Sequence, residues 1–249
     1  MSVKYPFNIV RFERLPSTNN QLKSLRKDQA IPEFTVVITC AQTAGKGQAG
    51  NSWESEPGKN LTFSLLLKPT FIEIQNQFVI SKAVALGIID VFMNFSQDFS
   101  IKWPNDIYYR NQKIGGILIE NAISRNIITE SIVGIGLNIN QEVFTSDAPN
   151  PVSLKNITGT DIELNNLLEQ VVNAILKYLE KIKTLNSDSL NRQYLNNLYR
   201  KEGFHPYKDA NGEFMARITG INEYGHLELE TSHGDKRSYA FKEVEFVIS

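Results

Sequence analysis

The chain has 249 residues, 41% of them apolar and 21% charged, with a formal net charge of −1. That length buries a sizeable core, and the composition is that of an ordinary globular protein. The small net charge excludes a global field for nucleic acid or membrane surfaces, and a single cysteine (Cys40) with three histidines excludes an internal disulfide and a clustered zinc site.

The opening residues hold no apolar stretch of signal-peptide length. No later segment offers the roughly 18–20 uninterrupted apolar residues that span a bilayer. The expected location is the cytoplasm, without membrane or direct nucleic-acid contact, and any metal is expected to be Mg²⁺ held by oxygens.

Residues 7–13 alternate in strand fashion, and Pro16-Ser17 then introduces a short polar helix with Ser17 as its N-cap. FTVVITCAQ (34–42) reads as a buried strand, AGKGQAGNSW (44–53) as a glycine-rich loop, and LTFSLLLKP (61–69) as another strand. Between about 75 and 95, Phe78, Val79, Ala83, Leu86, Ile89, Val91 and Phe92 recur with roughly helical spacing, which predicts a long helix packed on a sheet. FSIKW, DIYYR, KIGGILIENAI and IITESIVGIGLNIN follow as four strands joined by short polar connections, so the sheet is mixed or largely antiparallel. Helices resume at about 163–183 and 187–201, and the tail returns to short strands broken at Asn211-Gly212, Tyr224-Gly225 and His233-Gly234. The expected organisation is α+β, with a large unit at 1–202 and a small β-barrel at 203–249.

The glycine loop matches G-x-G-x-x-G, but a dinucleotide-binding turn must open a helix. Here Pro57-Gly58 would stop any helix almost at once, and the next element is a strand. No Walker A lysine follows at the right interval either. What remains is a surface turn, or a loop whose backbone approaches a ligand closely.

Two further stretches carry chemistry. In IKWPNDIYYRNQKIGGILIE, Lys102, Asn105 and Asp106 fall at a strand end, and Lys113 opens the strand containing Gly115-Gly116. A glycine pair inside a β-prone run signals a bulge or a close approach to the backbone. In VGIGLNIN, Gly134 and Gly136 again open room, and the amide of Asn138 suits the edge of an adenine. Taken singly, Lys102 and Lys113 also fit solvated strand ends, Asp106 a turn and Asn138 a cap.

Together, Ser17-Thr18-Asn19, TAGKGQAGNSW, KWPNDIYYRNQKIGGILIE and GIGLNIN resemble the biotin protein ligases, also called biotin–[acetyl-CoA-carboxylase] ligases, in order and approximate spacing. The resemblance is strong over about 10–160, and the tail is similar to the family's SH3-like barrel. It implies a mixed, class II synthetase-like sheet backed by helices. The implied reaction activates biotin with ATP and Mg²⁺ as biotinyl-5′-AMP and transfers it to a lysine of a biotin carboxyl carrier protein or domain.

The resemblance also assigns roles. Lys113, Asp106 and Lys102 would carry the chemistry, with Asp106 or Asn105 near the metal. Biotin would meet Ser17, Thr18 and Gln42 at its ureido ring, and Asn19, Gly45, Lys46, Gly47, Lys113, Gly115 and Gly116 elsewhere. ATP would meet Lys46, Trp53, Asn105, Lys113, Gly136 and Asn138.

Two departures stand out. Many members carry arginines where this loop has Gln48 and Asn51, which shifts the weight onto Lys46, Lys102 and Lys113. The first strand also begins within about ten residues, so the expected form is monofunctional, without an N-terminal DNA-binding domain. Some members pair as homodimers through the central sheet. The alternatives are a lipoate protein ligase, against which the ureido donor set speaks, and a non-catalytic biotin or adenylate sensor, against which Lys113 and Asp106 speak.

Overall fold

The computed structural model describes residues 5–146, 150–184 and 187–248. Its first part runs β1 (Asn8–Leu15), α1 (Thr18–Asp28), β2 (Thr35–Gln42), β3 (Leu61–Leu67), α2 (Phe78–Phe92), β4 (Phe99–Lys102), β5 (Asp106–Tyr109), β6 (Gln112–Ser124) and β7 (Ile127–Leu137). The seven strands form one sheet in the order β1-β2-β3-β7-β6-β5-β4. β1 and β2 are parallel because α1 carries the chain back between them, whereas the remaining pairs are antiparallel. The mixed sheet expected from the sequence is therefore present.

Every residue of β3 is buried, because the sheet is covered on both faces. Leu61, Phe63, Leu65 and Leu67 join the main core with α2, while Leu66 joins a smaller cluster with Leu22 of α1 and Val37 of β2. Strand alternation then places Thr62 and Ser64 on the α1 face, where Thr62 becomes part of a cavity floor and Ser64 is buried under Thr18 and Asn19.

Over Ile74–Phe92 the chain is long and apolar enough to pass for a membrane span by length and composition, yet Ile80, Val84, Ile88 and Phe92 are buried in the core. α4 (Leu164–Thr184) packs on α2, and the two helices approach most closely where Gly87 faces Ile175. Lys82, also on α2, is only 6% exposed; its amine donates to Asn191 Oδ1 (2.7 Å) and lies over the rings of Phe78 and Tyr194. Burial lowers its pKa to about 8 from 10.5. Between those pH values the unfolded chain binds more protons than the folded one, so stability rises with pH through that window. Lys82→Met is expected to remove this rise. Urea midpoints of variant and wild type measured from pH about 8 to about 10.5 check it, and parallel curves would refute it.

Sequence reasoning missed α3 (Leu154–Thr158), a single turn with a capping box between Ser153 and Asn156 and a left-handed Gly159 at its end. It also overextended α5, which spans Ser187–Asn196. The next residues pair with the sheet instead: Ile101 N donates to Asn197 O (2.7 Å) and Tyr199 N to Ile101 O (2.9 Å).

The tail forms β8 (His205–Asp209), β9 (Gly212–Ile221), β10 (Leu227–Thr231), β11 (Lys236–Tyr239) and β12 (Glu245–Phe246), ordered β11-β10-β9-β8-β12 and antiparallel throughout. The sequence led us to expect a barrel. Among the described residues no ladder joins β11 to β12, since β12 is two residues long and pairs with β8, so the sheet is open and SH3-like only in outline. Trp103 Nε1 donates to Gly225 O (2.8 Å) and Arg200 donates to Pro206 O and Val247 O, which hold the tail against the first sheet.

Candidate active site

On the α1 face, ladder register aligns Thr62, Gly136, Gly116, Asp106 and Lys102 in one row across five strands. The neighbouring row holds Ser64, Gly134 and Leu118. Glycines in the middle of both rows leave a trough, and a cavity of about 620 Å³ opens over it. Its walls come from Ser17, Thr18, Asn19 and Gln42 at one end, Lys46, Gly47 and Trp53 of the loop, and Lys242, Glu245 and Phe246 of the tail.

Regular alternation from Gly116 would turn Lys113 away from this cavity. A bulge prevents that: Ile107 faces Gly115 but Tyr108 faces Lys113, so Ile114 is buried in the core beside Gly115 and Lys113 swings to the cavity side. There its Nζ lies 2.7 Å from Asp106 Oδ1. Its backbone is gripped as well, by Lys113 N to Asn150 O (2.8 Å) and Val152 N to Lys113 O (3.0 Å). Lys102 Nζ sits over the rings of Phe246 (5.0 Å) and Tyr108 (5.4 Å). Burial lowers its pKa; Asp106 opposes that shift, while Lys113 and Arg200 add to it. This end of the trough thus carries two lysines and a carboxylate.

The other end is a hydrogen-bonded net. Ser17 caps α1. Gln42 Oε1 accepts from Thr18 N (2.9 Å), which leaves the Gln42 amide nitrogen as a donor for the cavity. Ser64 Oγ lies 2.7 Å from Thr18 Oγ1 and donates to Asn19 Oδ1 at 2.6 Å. Asn19 Nδ2 donates to Glu120 Oε2 (2.7 Å), and Lys23 Nζ to Glu120 Oε1 (2.5 Å). Burial works to raise the Glu120 pKa, but the bonds from Lys23 and Asn19 outweigh it and hold the carboxyl below the usual range. Asn19 is therefore tied on both sides, and it fills the space over Gly134. Sequence reasoning missed Ser64 and Glu120. A serine inside the apolar run LTFSLLL and a glutamate closing KIGGILIE were the available signals.

The loop contains a short 3₁₀ turn over Gln48–Gly50 and no α-helix, in keeping with rejection of the dinucleotide reading. Trp53 N donates to Gly45 O (3.0 Å), and the indole lies on Gly116 and Gly136, 5.8 Å from Lys113 Nζ. Its Nε1 is buried without a hydrogen-bond partner. A side chain at Gly45 would strike the Trp53 carbonyl and the Gln42 amide, which explains the glycine.

Three expected site residues do not line the cavity. Gly45 stands against the Trp53 carbonyl and the Gln42 amide, and Gly115 faces Leu137 in the core. Asn138 is buried beneath the floor, where its Nδ2 donates to Val152 O (3.2 Å) and its Oδ1 has no partner. Its bonds to Val152, Ile114 and Leu154 fasten the chain after β7. Asn105 does line the cavity, with its Nδ2 committed to Ile117 O (2.8 Å).

Residues 11–138 match the biotin/lipoate A/B protein ligase family, and the chain belongs to it. Within that family it is 30% identical to the bifunctional ligase/repressor BirA of Bacillus spizizenii over 250 residues, 91% of this chain and 70% of that protein. It is 26% identical to the biotin–[acetyl-CoA-carboxylase] ligase of Paracoccus denitrificans, covering 89% of this chain and 93% of that one. The biotin protein ligase of Aquifex aeolicus in complex with biotin and ATP superposes with a TM-score of 0.80 at 25% identity, over 97% of this chain and 99% of that chain.

Proposed function

We propose that this chain is an ATP-dependent biotin protein ligase that forms biotinyl-5′-AMP and passes the biotinyl group to a lysine of a biotin carboxyl carrier protein or domain. The observation that carries this reading is the polarity of the trough. A compact set of donors and acceptors around Thr18 and Gln42 suits a urea ring, glycines leave room for the bicycle and its chain, and the Lys113–Asp106 pair waits at the far end.

In the first half-reaction the biotin carboxylate attacks the α-phosphorus of ATP and pyrophosphate leaves. A carboxylate approaching a polyanion is repelled, so the site must cancel charge and hold the two in line. Lys113 bridges the carboxylate and the α-phosphate, and Lys102 adds positive charge from its aromatic cradle. Lys46, Trp53 and Asn105 flank the nucleotide. In the second half-reaction a carrier lysine amine attacks the acyl carbon and AMP leaves.

Mg²⁺ fits as a metal held chiefly by phosphates, which is its usual mode with one or two carboxylates. Among the described residues no cluster of three His, Cys, Asp or Glu exists; two carboxylates line the cavity, Asp106 and Glu245, and Asp106, beside Lys113, would share the ion, which would neutralise charge on the leaving pyrophosphate.

Exchange of labelled pyrophosphate into ATP, with biotin, lipoate or no acid, tests the reading. Exchange is expected with biotin alone. Exchange with lipoate instead would assign the protein to the other branch of its family, and biotin binding without exchange would make it a sensor.

A further inference from the structure

The residue after Trp53 is a glutamate whose partners all lie on a distant segment. Glu54 Oε1 accepts from Thr145 N (3.0 Å), Thr145 Oγ1 (3.2 Å) and Gln141 Nε2 (3.1 Å), and Oε2 accepts from Ser146 N (2.8 Å). Gln141 closes the clasp from the other side, its Oε1 accepting from Glu56 N (3.0 Å) and Asn60 Nδ2 (2.6 Å). Burial works to raise the Glu54 pKa, but the hydrogen bonds from Ser146 and Thr145 outweigh it and bring it to about 2, so the carboxylate stays ionised at any working pH.

The gripped segment leaves the end of β7, and the same connection returns as Asn150–Val152 on the backbone of Lys113. Trp53 lies between these two attachments, with its ring on the glycine trough. Bonds inside the loop, such as Gly47 N to Asn51 O (2.6 Å) and Asn51 N to Gln48 O (3.2 Å), tie the loop only to itself. On the Trp53 side the chain is fastened by Glu54 and Gln141, by Ser55 Oγ, which accepts from Thr62 Oγ1 (3.2 Å) and Asn60 Nδ2 (3.3 Å), and by Gly58 N to Cys40 O (2.9 Å); of these, Glu54 adjoins Trp53 and reaches Thr145 and Ser146.

We propose that Glu54 is a positioning residue for adenylate formation and retention: its grip on Thr145 and Ser146 holds Trp53 over Gly116 and Gly136 beside Lys113. This rests on the ligase reading above. It also answers a need that the loop's composition creates. Gln48 and Asn51 bring no charge to the phosphates, so a loop whose one cation is Lys46 needs a mechanical fastening to keep an acyl-adenylate from water.

Glu54→Gln tests it, because the amide nitrogen must then face backbone N–H donors. The expected result is a rise of about tenfold in the KM for ATP and in AMP released per carrier biotinylated, with the KM for biotin and the melting temperature nearly unchanged. Gln141→Leu, which breaks the other half of the clasp, should move the same ratio in the same direction. Wild-type protein without biotin-dependent pyrophosphate exchange would remove the ligase reading itself. Wild-type exchange with an unaltered AMP-to-product ratio in both variants, or a fallen melting temperature as their only effect, would overturn the role of Glu54 alone.

Discussion

Lys113→Ala is expected to lower biotin-dependent pyrophosphate exchange by about 10²–10³, the loss typical of one preorganised donor removed from a developing charge. That corresponds to about 3–4 kcal/mol of barrier. The bulge at Ile114 delivers the Lys113 amine to the cavity, 2.7 Å from Asp106, whereas the Lys102 amine is held over the rings of Phe246 and Tyr108. Folding should scarcely notice. The pair is partly exposed, 26% and 16% by side chain, and such pairs contribute little net stability. The check is exchange rate and melting temperature on the same preparation. A loss below about threefold, or one matched by unfolding, would remove Lys113 from its assigned role.

The largest expected stability effect lies far from the cavity, at Gly87→Ala. A β-carbon there would sit 2.7 Å from Ile175 Cα and 2.7 Å from Ile175 N. Those are backbone atoms of α4, so no rotamer change clears them, and α2 and α4 must separate. Alanine regains about 1 kcal/mol of helix propensity, whereas overpacking costs about 1–3 kcal/mol and more where backbone must move. The net expectation is a loss of about 2 kcal/mol, or roughly 4–8 °C in melting temperature for a chain of this size. A urea midpoint equal to wild type would mean that the two helices do not meet at this glycine.

Much of this architecture was legible from local pattern. Ser17 announced α1, the alternating and apolar runs announced the strands, and the glycine pair in KIGG signalled a bulge or a close approach, of which the ladder shows a bulge beside Gly115 and the Trp53 ring lies on Gly116. What could not be read was long-range. Asn138 looked like a ligand because an amide near glycines at a strand end has the right chemistry, but its bond to Val152 depends on how the chain returns after β7. Ser64 looked like one polar residue in a buried strand until register set it beside Thr18 and Asn19. The open tail sheet was hidden for the same reason: closure depends on whether the last strand is long enough to reach β11, and turn residues do not report that. α3 was missed because five residues give too short a window for helical periodicity.

The row Thr62, Gly136, Gly116, Asp106 and Lys102 draws one residue from each of five strands: the last four follow the β7-to-β4 meander, and Thr62 joins them from β3, which precedes all of them in the chain. A nascent or partly unfolded molecule lacking any one ladder therefore has no floor on which to bind nucleotide and acid together. Slippage of β6 against β7 by one residue in the direction that puts Ile117 in place of Gly116 would bury the opening. Competence to make a reactive anhydride is thereby tied to completion of the sheet, so immature chains do not squander ATP or scatter activated acyl groups onto bystander amines.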